Sequence, residues 1–346
     1  MVENLPENQN IKNFSQILNN EITKAKRILM FFHENPDLDS IGSNYALQDY
    51  CKVINPDANI KIFSLDTPNG NLRHLIELYG KADFEVKNPI NVNYEKDDLV
   101  LLIDISDISR ATLQKDFTLP DFVKVISIDH HRVEPKHETF YLNFENQSAS
   151  SIVYELFKLN NFEISENTFR FIVMGIVGDS GFFRFKDNKF VQTLNCIKEM
   201  VEKYGKDSYY DLIGNLEKNQ PVEEFYFKKI FLKNLVISKD YAYTFVTNKD
   251  REENKIPKDY VLINGGASFI KNLGNSKFIF TITQDVSNDN IFYLSFRSCA
   301  GSGFIVRTLA EKLGGGGHNE AAGAQIKALN IDEVKSLVLS AINELA

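Results

Sequence analysis

Short apolar runs that end abruptly in acidic or imidazole side chains recur through the first half of the chain. KRILMFFH (26–33), DLVLLIDIS (98–106) and FVKVISIDHH (122–131) are nearly continuous in apolar residues before they break. Runs of this length without strict alternation predict strands buried on both faces. Between and after them lie stretches with helical character, from Ser40 to about Tyr50, ASSIVYELFKLN (149–160) and NTFRFIVMGIVGDS (167–180). Strands alternating with helices predict a parallel sheet in an α/β fold, whose ligands bind beyond the carboxyl ends of the strands. The acidic residues fall at those ends.

From about Val191 to Pro221 the pattern is helical and polar, which predicts a helical connector. After Val222 the character changes. YAYTFVTN (241–248), KFIFTITQD (277–285) and IFYLSFRS (291–298) predict strands of a mixed sheet. GFIVRTLAEKL (303–313) predicts a helix, as does 331–345, where Ile331, Val334, Val338, Ile342 and Leu345 share one face. The expected architecture is an N-terminal parallel-sheet α/β domain (1–190), a helical connector (191–225) and a smaller α/β domain with a mixed sheet (226–346).

Composition adds exclusions. The 346 residues suit two domains and a sizeable core. A net charge of -8 argues against wrapping duplex DNA, which needs an extended basic surface, yet allows a small anionic substrate held by local cations. Cys51, Cys196 and Cys299 sit far apart without ligand or redox spacing, as expected of reduced thiols. The polar N-terminus, MVENLPENQN, does not read as a signal peptide. The apolar run FIVMGIVG (171–178) is far shorter than the ~20 residues of a membrane helix. A soluble cytoplasmic protein with no membrane partner is expected.

Hard metal ligands occur in four separated places. FFHENPDLDSIGS (31–43) carries His33, Asp37 and Asp39 where a strand would run into a loop. Asp104 ends LLID, Asp129, His130 and His131 end VISIDHH, and Asp179 lies in GIVGDSG. A single aspartate at a strand end is ordinarily a cap or turn residue. Four such places, each at the end of a buried element, form a different pattern. Four carboxylates in one pocket repel and need cations. Two divalent ions supply the balancing charge, and mixed imidazole and carboxylate donors suit Mn²⁺ better than Ca²⁺. Two such ions about 3.5–4 Å apart can clamp a phosphoryl group.

These residues resemble the motifs of the DHH phosphoesterases. NPDLDSIGS is similar to their first motif, LIDISD to the second, IDHH to the third and GIVGDSG to the fourth. The resemblance implies that His33, Asp37, Asp39, Asp104, His130 and Asp179 ligate two metals, with Asp104 bridging. It implies that His131 faces the substrate phosphate and that Asp129 orients a histidine. ENQSASSIVYEL places Ser150 and Ser151 at a helix start, where helix capping explains them as well as a site role does.

A second motif, GGGGHNEAAGA (314–324), follows the helix that ends at Leu313. One glycine is enough to stop a helix; consecutive ones let backbone N–H groups approach an oxyanion, and His318 can add a donor. The stretch resembles the DHH-associated C-terminal domain, and SFRS its preceding strand. That implies substrate contacts from Arg297, Ser298, Gly315, Gly316, Gly317 and His318. Arg297, Arg307 and Lys312 against Glu311 and Glu320 make 291–325 mildly basic, which suits a second phosphate or a terminal nucleotide.

Motif order and length are closest to the nanoRNase/pAp phosphatase branch. This implies hydrolysis of short single-stranded oligonucleotides and linear dinucleotides, and of the nucleotide bisphosphate 3′-phosphoadenosine 5′-phosphate. The related RecJ branch, a single-strand exonuclease, carries additional domains. A non-catalytic RNA- or nucleotide-binding module has no reason to gather four carboxylates beside two histidines. Oligomeric state stays open, a homodimer included.

Overall fold

The computed structural model describes residues 10–68, 70–81, 83–131, 139–142, 145–184, 188–217, 221–258, 260, 266–271, 273 and 276–345. They fall into two compact units, Met1–Asn219 and Gln220–Ala346.

The strands of the first unit are β1 (Arg27–Phe31), β2 (Asn59–Ser64), β3 (Phe84–Val86), β4 (Asp98–Ile103), β5 (Lys124–Asp129) and β6 (Thr139–Leu142). They pair in the order β3-β2-β1-β4-β5-β6, with every neighbour parallel. Successive side chains of a strand point to opposite faces. Ile28 and Met30 accordingly join Leu99, Leu101 and Ile103 in one apolar cluster, and Leu29 and Phe31 join Val100 and Leu102 in another. Both faces are covered, which explains the uninterrupted apolar runs. The strand order reverses between β1 and β4, and the crevice beyond such a reversal is where open α/β sheets bind ligands.

The helices of this unit are α1 (Ile11–Lys24), α2 (Leu38–Ile54), α3 (Gly70–Leu78), α4 (Ala149–Leu159), α5 (Glu166–Asp179), α6 (Phe190–Tyr204) and α7 (Lys206–Glu217). Helix α2 begins at Leu38, ahead of the expected Ser40. The reason is Asp37, whose carboxylate accepts the N–H groups of Asp39 and Ser40 as an N-cap. Asp39 therefore lies in the first helical turn. Gly42 lets α2 approach α5, since a Cβ there would stand 2.4 Å from the Phe171 carbonyl oxygen.

The polar stretch 191–225 does not stand apart as a connector. Cys196 and Met200 of α6 and Leu212 and Leu216 of α7 are buried in the first unit's larger apolar cluster. Their wide spacing among charged residues hides a single narrow apolar stripe.

The second unit contains α8 (Val222–Lys233), β7 (Val236–Ile237), β8 (Tyr241–Val246), α9 (Asn248–Glu253), α10 (Ala267–Ile270), β9 (Phe278–Gln284), β10 (Ile291–Ser298), α11 (Val306–Lys312), β11 (Gly316–Gly317), β12 (Ala321–Lys327) and α12 (Ile331–Asn343). Its sheet runs β11-β12-β10-β9-β8-β7 and is mixed, since β8 and β9 are parallel and the other pairs antiparallel. Phe278, Phe280, Ile282, Phe292, Leu294 and Phe296 pack from one face onto Val306, Leu309, Val334 and Val338 of α11 and α12. The expected helix at 303–313 starts only at Val306, because Gly303 has a left-handed φ of 68°.

All three cysteines are free and buried. Among the described residues no helix is long and apolar enough to cross a membrane.

Candidate functional site

His33 follows the end of β1, Asp104 follows β4, and His130 and His131 follow Asp129 at the end of β5. Asp37 and Asp39 come from the start of α2, and Asp179 is the last residue of α5. The parallel sheet thus delivers the first-unit residues singled out from sequence to one crevice beyond β1, β4 and β5. Three groups of their donor atoms each lie within 4.8 Å of one another: His33, Asp37 and Asp104; Asp39, His130 and Asp179; and Asp104, Asp129, His130 and His131.

Asp104 links the groups. One carboxylate oxygen is 3.5 Å from Nε2 of His33, and the other is 3.4 Å from Nε2 of His130. The residue is 2% exposed and has a left-handed φ of 63°. A non-glycine residue there is strained, and such strain collects at functional sites.

His33 has Nδ1 2.8 Å from the Glu34 carbonyl oxygen. That acceptor draws the ring proton to Nδ1 and turns the Nε2 lone pair toward Asp37, at 3.6 Å, and Asp104. Nε2 of His130 faces Asp179 at 3.2 Å and Asp39 at 3.7 Å. This Nε2 and Oδ1 of Asp104 are buried without a hydrogen bond. Buried polar atoms in that state fit ligand atoms better than packing atoms.

Asp39 is held by the start of α4, where the N–H of Ala149 lies 2.7 Å from one oxygen and that of Ser150 2.9 Å from the other. The N-cap of α4 is Ser148. So the cap role considered for Ser150 and Ser151 belongs to Ser148, while the backbone of Ser150 grips Asp39. Sequence reasoning misses this cradle; the run of small residues SAS beside a helix start is its only signal. Asp179 sits where a helix dipole disfavours negative charge. The chain then leaves α5 through Gly181, Phe182 and Phe183, all left-handed.

Electrostatics mark the cluster as cation-seeking. Burial alone would lower the histidine pKa values. Attraction to the carboxylates of Asp104 and Asp37 overcomes it at His33 and pushes it up to about 10, and attraction to those of Asp104 and Asp179 pushes His130 up to about 11. Asp39 is raised by burial and then by the charges of Asp104 and Asp179; Asp179 is raised by burial above all. Asp104 moves the other way because His130 and His33 outweigh its burial. The imidazoles borrow protons to offset the carboxylates. Divalent ions would supply that charge and leave both rings neutral as ligands. The donor set therefore suits divalent cations, which His33, Asp37, Asp39, Asp104, His130 and Asp179 could hold.

His131 is set apart. Its Nδ1 lies 2.7 Å from Oδ1 of Asp129, and its side chain is 42% exposed. The same aspartate oxygen accepts the backbone N–H groups of His130 and His131. Asp129 thus orients His131 and shapes the turn that carries both histidines.

Packing behind the cluster is tight at Gly175. A Cβ there would fall 2.0 Å from Oγ of Ser150 and 2.5 Å from Oδ1 of Asp39. Gly175→Ala should therefore push Asp39 off its cradle and destabilise the fold by about 1–3 kcal/mol. A shift in the denaturant midpoint together with weakened metal binding would show it; unchanged values for both would refute it.

Comparison with known proteins places this geometry. Residues 27–176 match the DHH family, N-terminal domain, and residues 257–344 match the DHHA1 domain. The chain carries a DHH-family N-terminal domain followed by a DHHA1 domain. It is 28% identical over 303 residues to the bifunctional oligoribonuclease and PAP phosphatase NrnA of Bacillus subtilis, covering 86% of this chain and 89% of that protein. It is 31% identical over 164 residues to a probable manganese-dependent inorganic pyrophosphatase of Lactococcus lactis, covering 45% and 49% of the two. The fold is shared with an exopolyphosphatase-related protein from Bacteroides fragilis, at a TM-score of 0.80 and 19% identity over 96% of both chains.

In the DHHA1 domain the four glycines are not one loop. Gly314 is the left-handed residue after α11, with φ 79°. Gly316 and Gly317 form β11, in register with Gly323 and Ala322 of β12. A Cβ at Gly315 would lie 2.1 Å from the Gly323 carbonyl oxygen, and one at Gly317 2.6 Å from Cα of Ala322. Backbone approach thus accounts for Gly315 and Gly317. At Gly316 nothing lies within 4 Å of a Cβ.

His318 occupies the β11–β12 turn, where its N–H donates to the Ala321 carbonyl. Arg297 pairs in register with Ala321, and the Ser298 N–H donates to the Glu320 carbonyl. The DHHA1 fold therefore gathers Arg297, Ser298 and the His318 turn at one end of its sheet. The basic stretch expected around them is thinner than its charge count. Arg307 pairs with Glu311 at 3.5 Å and Lys312 with Glu344 at 2.5 Å. Arg297 instead donates to Oγ of Ser295 and the Phe296 carbonyl, and no described carboxylate pairs with it.

Proposed function

We propose that the protein is a two-metal phosphoesterase that hydrolyses very short single-stranded oligonucleotides and linear dinucleotides, and removes the 3′-phosphate of 3′-phosphoadenosine 5′-phosphate. The observation that carries the reading is Asp104, which turns one oxygen to each of two groups of metal donors. Likeness to the B. subtilis protein along most of both chains supports the substrate class.

In this reading His33, Asp37, Asp39, Asp104, His130 and Asp179 hold two divalent ions, Mn²⁺ by donor type. The ions would supply positive charge against the phosphoryl oxygens and lower the pKa of the attacking water. As water's oxygen bonds to phosphorus, the phosphorus–oxygen bond to the leaving group breaks and the departing oxygen needs a proton. His131, oriented by Asp129 through Nδ1, presents Nε2 as that donor. In the second unit, Arg297, Ser298, Gly316, Gly317 and the His318 turn are that unit's substrate contacts, while the Gly315 N–H is already donated to the Ala310 carbonyl. The three buried thiols fit a reducing cytoplasm.

The test is turnover, with Mn²⁺, of 5′-phosphorylated di- to decanucleotides, a twenty-mer, the bisphosphate nucleotide and pyrophosphate. We expect kcat/KM to fall steeply beyond about five nucleotides, because a chain of net charge -8 offers little to grip a long polyanion. EDTA should abolish activity and Mn²⁺ restore it. Equal kcat/KM on a dinucleotide and the twenty-mer would move the protein to single-strand exonuclease, and turnover of pyrophosphate alone would remove the nucleotide reading. On the dinucleotide, Arg297→Ala and His318→Ala should each cost about 1.5–3 kcal/mol in kcat/KM, roughly 10- to 150-fold, with metal content unchanged.

A further inference from the structure

Among the described residues, helices cover only part of one face of the second unit's sheet. On that face Ala242 and Ile279 pack with Ala267 and Ile270 of α10, and Val246 packs with Phe227, Ile230 and Phe231 of α8. This cover lies over β8 and β9, and α10 also touches β10. Beyond it, on β10, alternation puts Tyr293, Ser295 and Arg297 on the same side, and Tyr293 is 46% exposed. The contact of Arg297 with Oγ of Ser295, at 3.1 Å, confirms the shared side.

Strand register extends the row. Tyr293 lies opposite the exposed Gln325 and Ser295 opposite Gly323, which in turn lies opposite Gly316. The middle rung is thus two glycines and a serine. Within 4 Å of a Cβ at Gly316 there is nothing, and at Gly323 only the neighbouring strand's Leu294 carbonyl. The result is a floor of bare backbone with an aromatic ring at one end and a guanidinium at the other. The backbones of Tyr293 and Arg297, four residues apart, are separated by roughly 14 Å along the strand, but the Arg297 guanidinium turns back to Ser295, which shortens the gap toward the reach of a single nucleotide.

The ends differ in charge. At the far end stands the Asp285 carboxylate; the pKa of the Tyr293 hydroxyl is raised by burial and then by that negative charge. At the near end Arg297 has no described carboxylate partner, and burial lowers its pKa. A phosphate is favoured only beside Arg297. An uncharged planar ring is favoured beside Tyr293, because base-on-aromatic stacking is indifferent to base identity and is strong on an exposed tyrosine. A Gln amide across from the ring adds a donor and an acceptor for a base edge.

We propose that this shelf is a base-binding subsite, in which a nucleobase packs on Tyr293 above the Gly323–Gly316 floor while the phosphate of the same nucleotide sits at Arg297. The inference rests on the nucleotide reading above and deepens it. Tyr293 becomes the residue that makes the protein require a base and accept any base.

The chain contains no tryptophan, so Tyr293→Trp places a single indole on the shelf. In the full-length Mn²⁺-loaded protein, adenosine 5′-monophosphate should quench that indole saturably and ribose 5-phosphate should not. Calorimetric titration should show Tyr293→Ala losing about tenfold in affinity for adenosine 5′-monophosphate and nothing for ribose 5-phosphate, with Tyr293→Phe close to wild type. Absent quenching, or wild-type affinity for adenosine 5′-monophosphate in Tyr293→Ala, overturns the subsite. The two readings fail separately. A protein that turns over dinucleotides but ignores Tyr293→Ala loses only the shelf. One that turns over neither dinucleotides nor the bisphosphate nucleotide loses the proposed function, whatever the indole reports.

Discussion

Asp104→Asn is expected to lower kcat/KM for a dinucleotide by at least about 1,000-fold while the protein stays folded. Asparagine is chosen for backbone as much as for charge. With φ at 63°, position 104 lies in the left-handed region, which asparagine tolerates and alanine enters only at a cost of about 1–2 kcal/mol. The amide also preserves side-chain volume at a site 2% exposed. What it removes is the negative charge that faces His33 on one side and His130 on the other. An amide has one oxygen to offer and cannot face a cation with each end. Elemental analysis should therefore show a lost ion, and circular dichroism an unaltered fold. Near-normal turnover by the folded variant at saturating Mn²⁺ would remove Asp104 from the bridge.

The first-unit site is legible from sequence because the sheet is parallel and buried on both faces. In such a sheet every strand is an apolar run, and the chemistry starts where the run stops. Asp104 and Asp129 to His131 can be read off in that way. The cradle around Asp39 cannot, since backbone N–H groups of Ala149 and Ser150 carry no residue signature. Helix α2 starts ahead of its expected first residue because Asp37 looks the same in sequence as a turn aspartate and as an N-cap. Helices α6 and α7 resemble a connector because few apolar positions in each are buried. In the second unit the glycine run announces itself, but its meaning lies in pairing. Strand β12 crowds Gly315 and Gly317 and leaves Gly316 open, a distinction only register can make. The same register places Tyr293 beside Gln325, far apart in the chain, where no motif links them.

His131→Ala should lower kcat by about 10²–10⁴-fold, the usual contribution of a positioned general acid, with both ions still bound. The role follows from its hydrogen bonds. Nδ1 is committed to Asp129 at 2.7 Å, so only Nε2 is left to meet a substrate oxygen. A rival arrangement exists in the same geometry, because Nδ1 also lies 3.7 Å from Oδ1 of Asp104 and belongs to a group of possible metal donors. A double-mutant cycle with Asp129→Asn separates them. The asparagine oxygen can still accept the N–H groups of His130 and His131, so the turn survives while the negative charge facing Nδ1 of His131 is lost. If Asp129 acts through His131, the double variant should be no slower than His131→Ala alone. Additive losses would give Asp129 a separate function. An ion missing from His131→Ala would make His131 a ligand, and the proton for the leaving oxygen would then have to come from elsewhere.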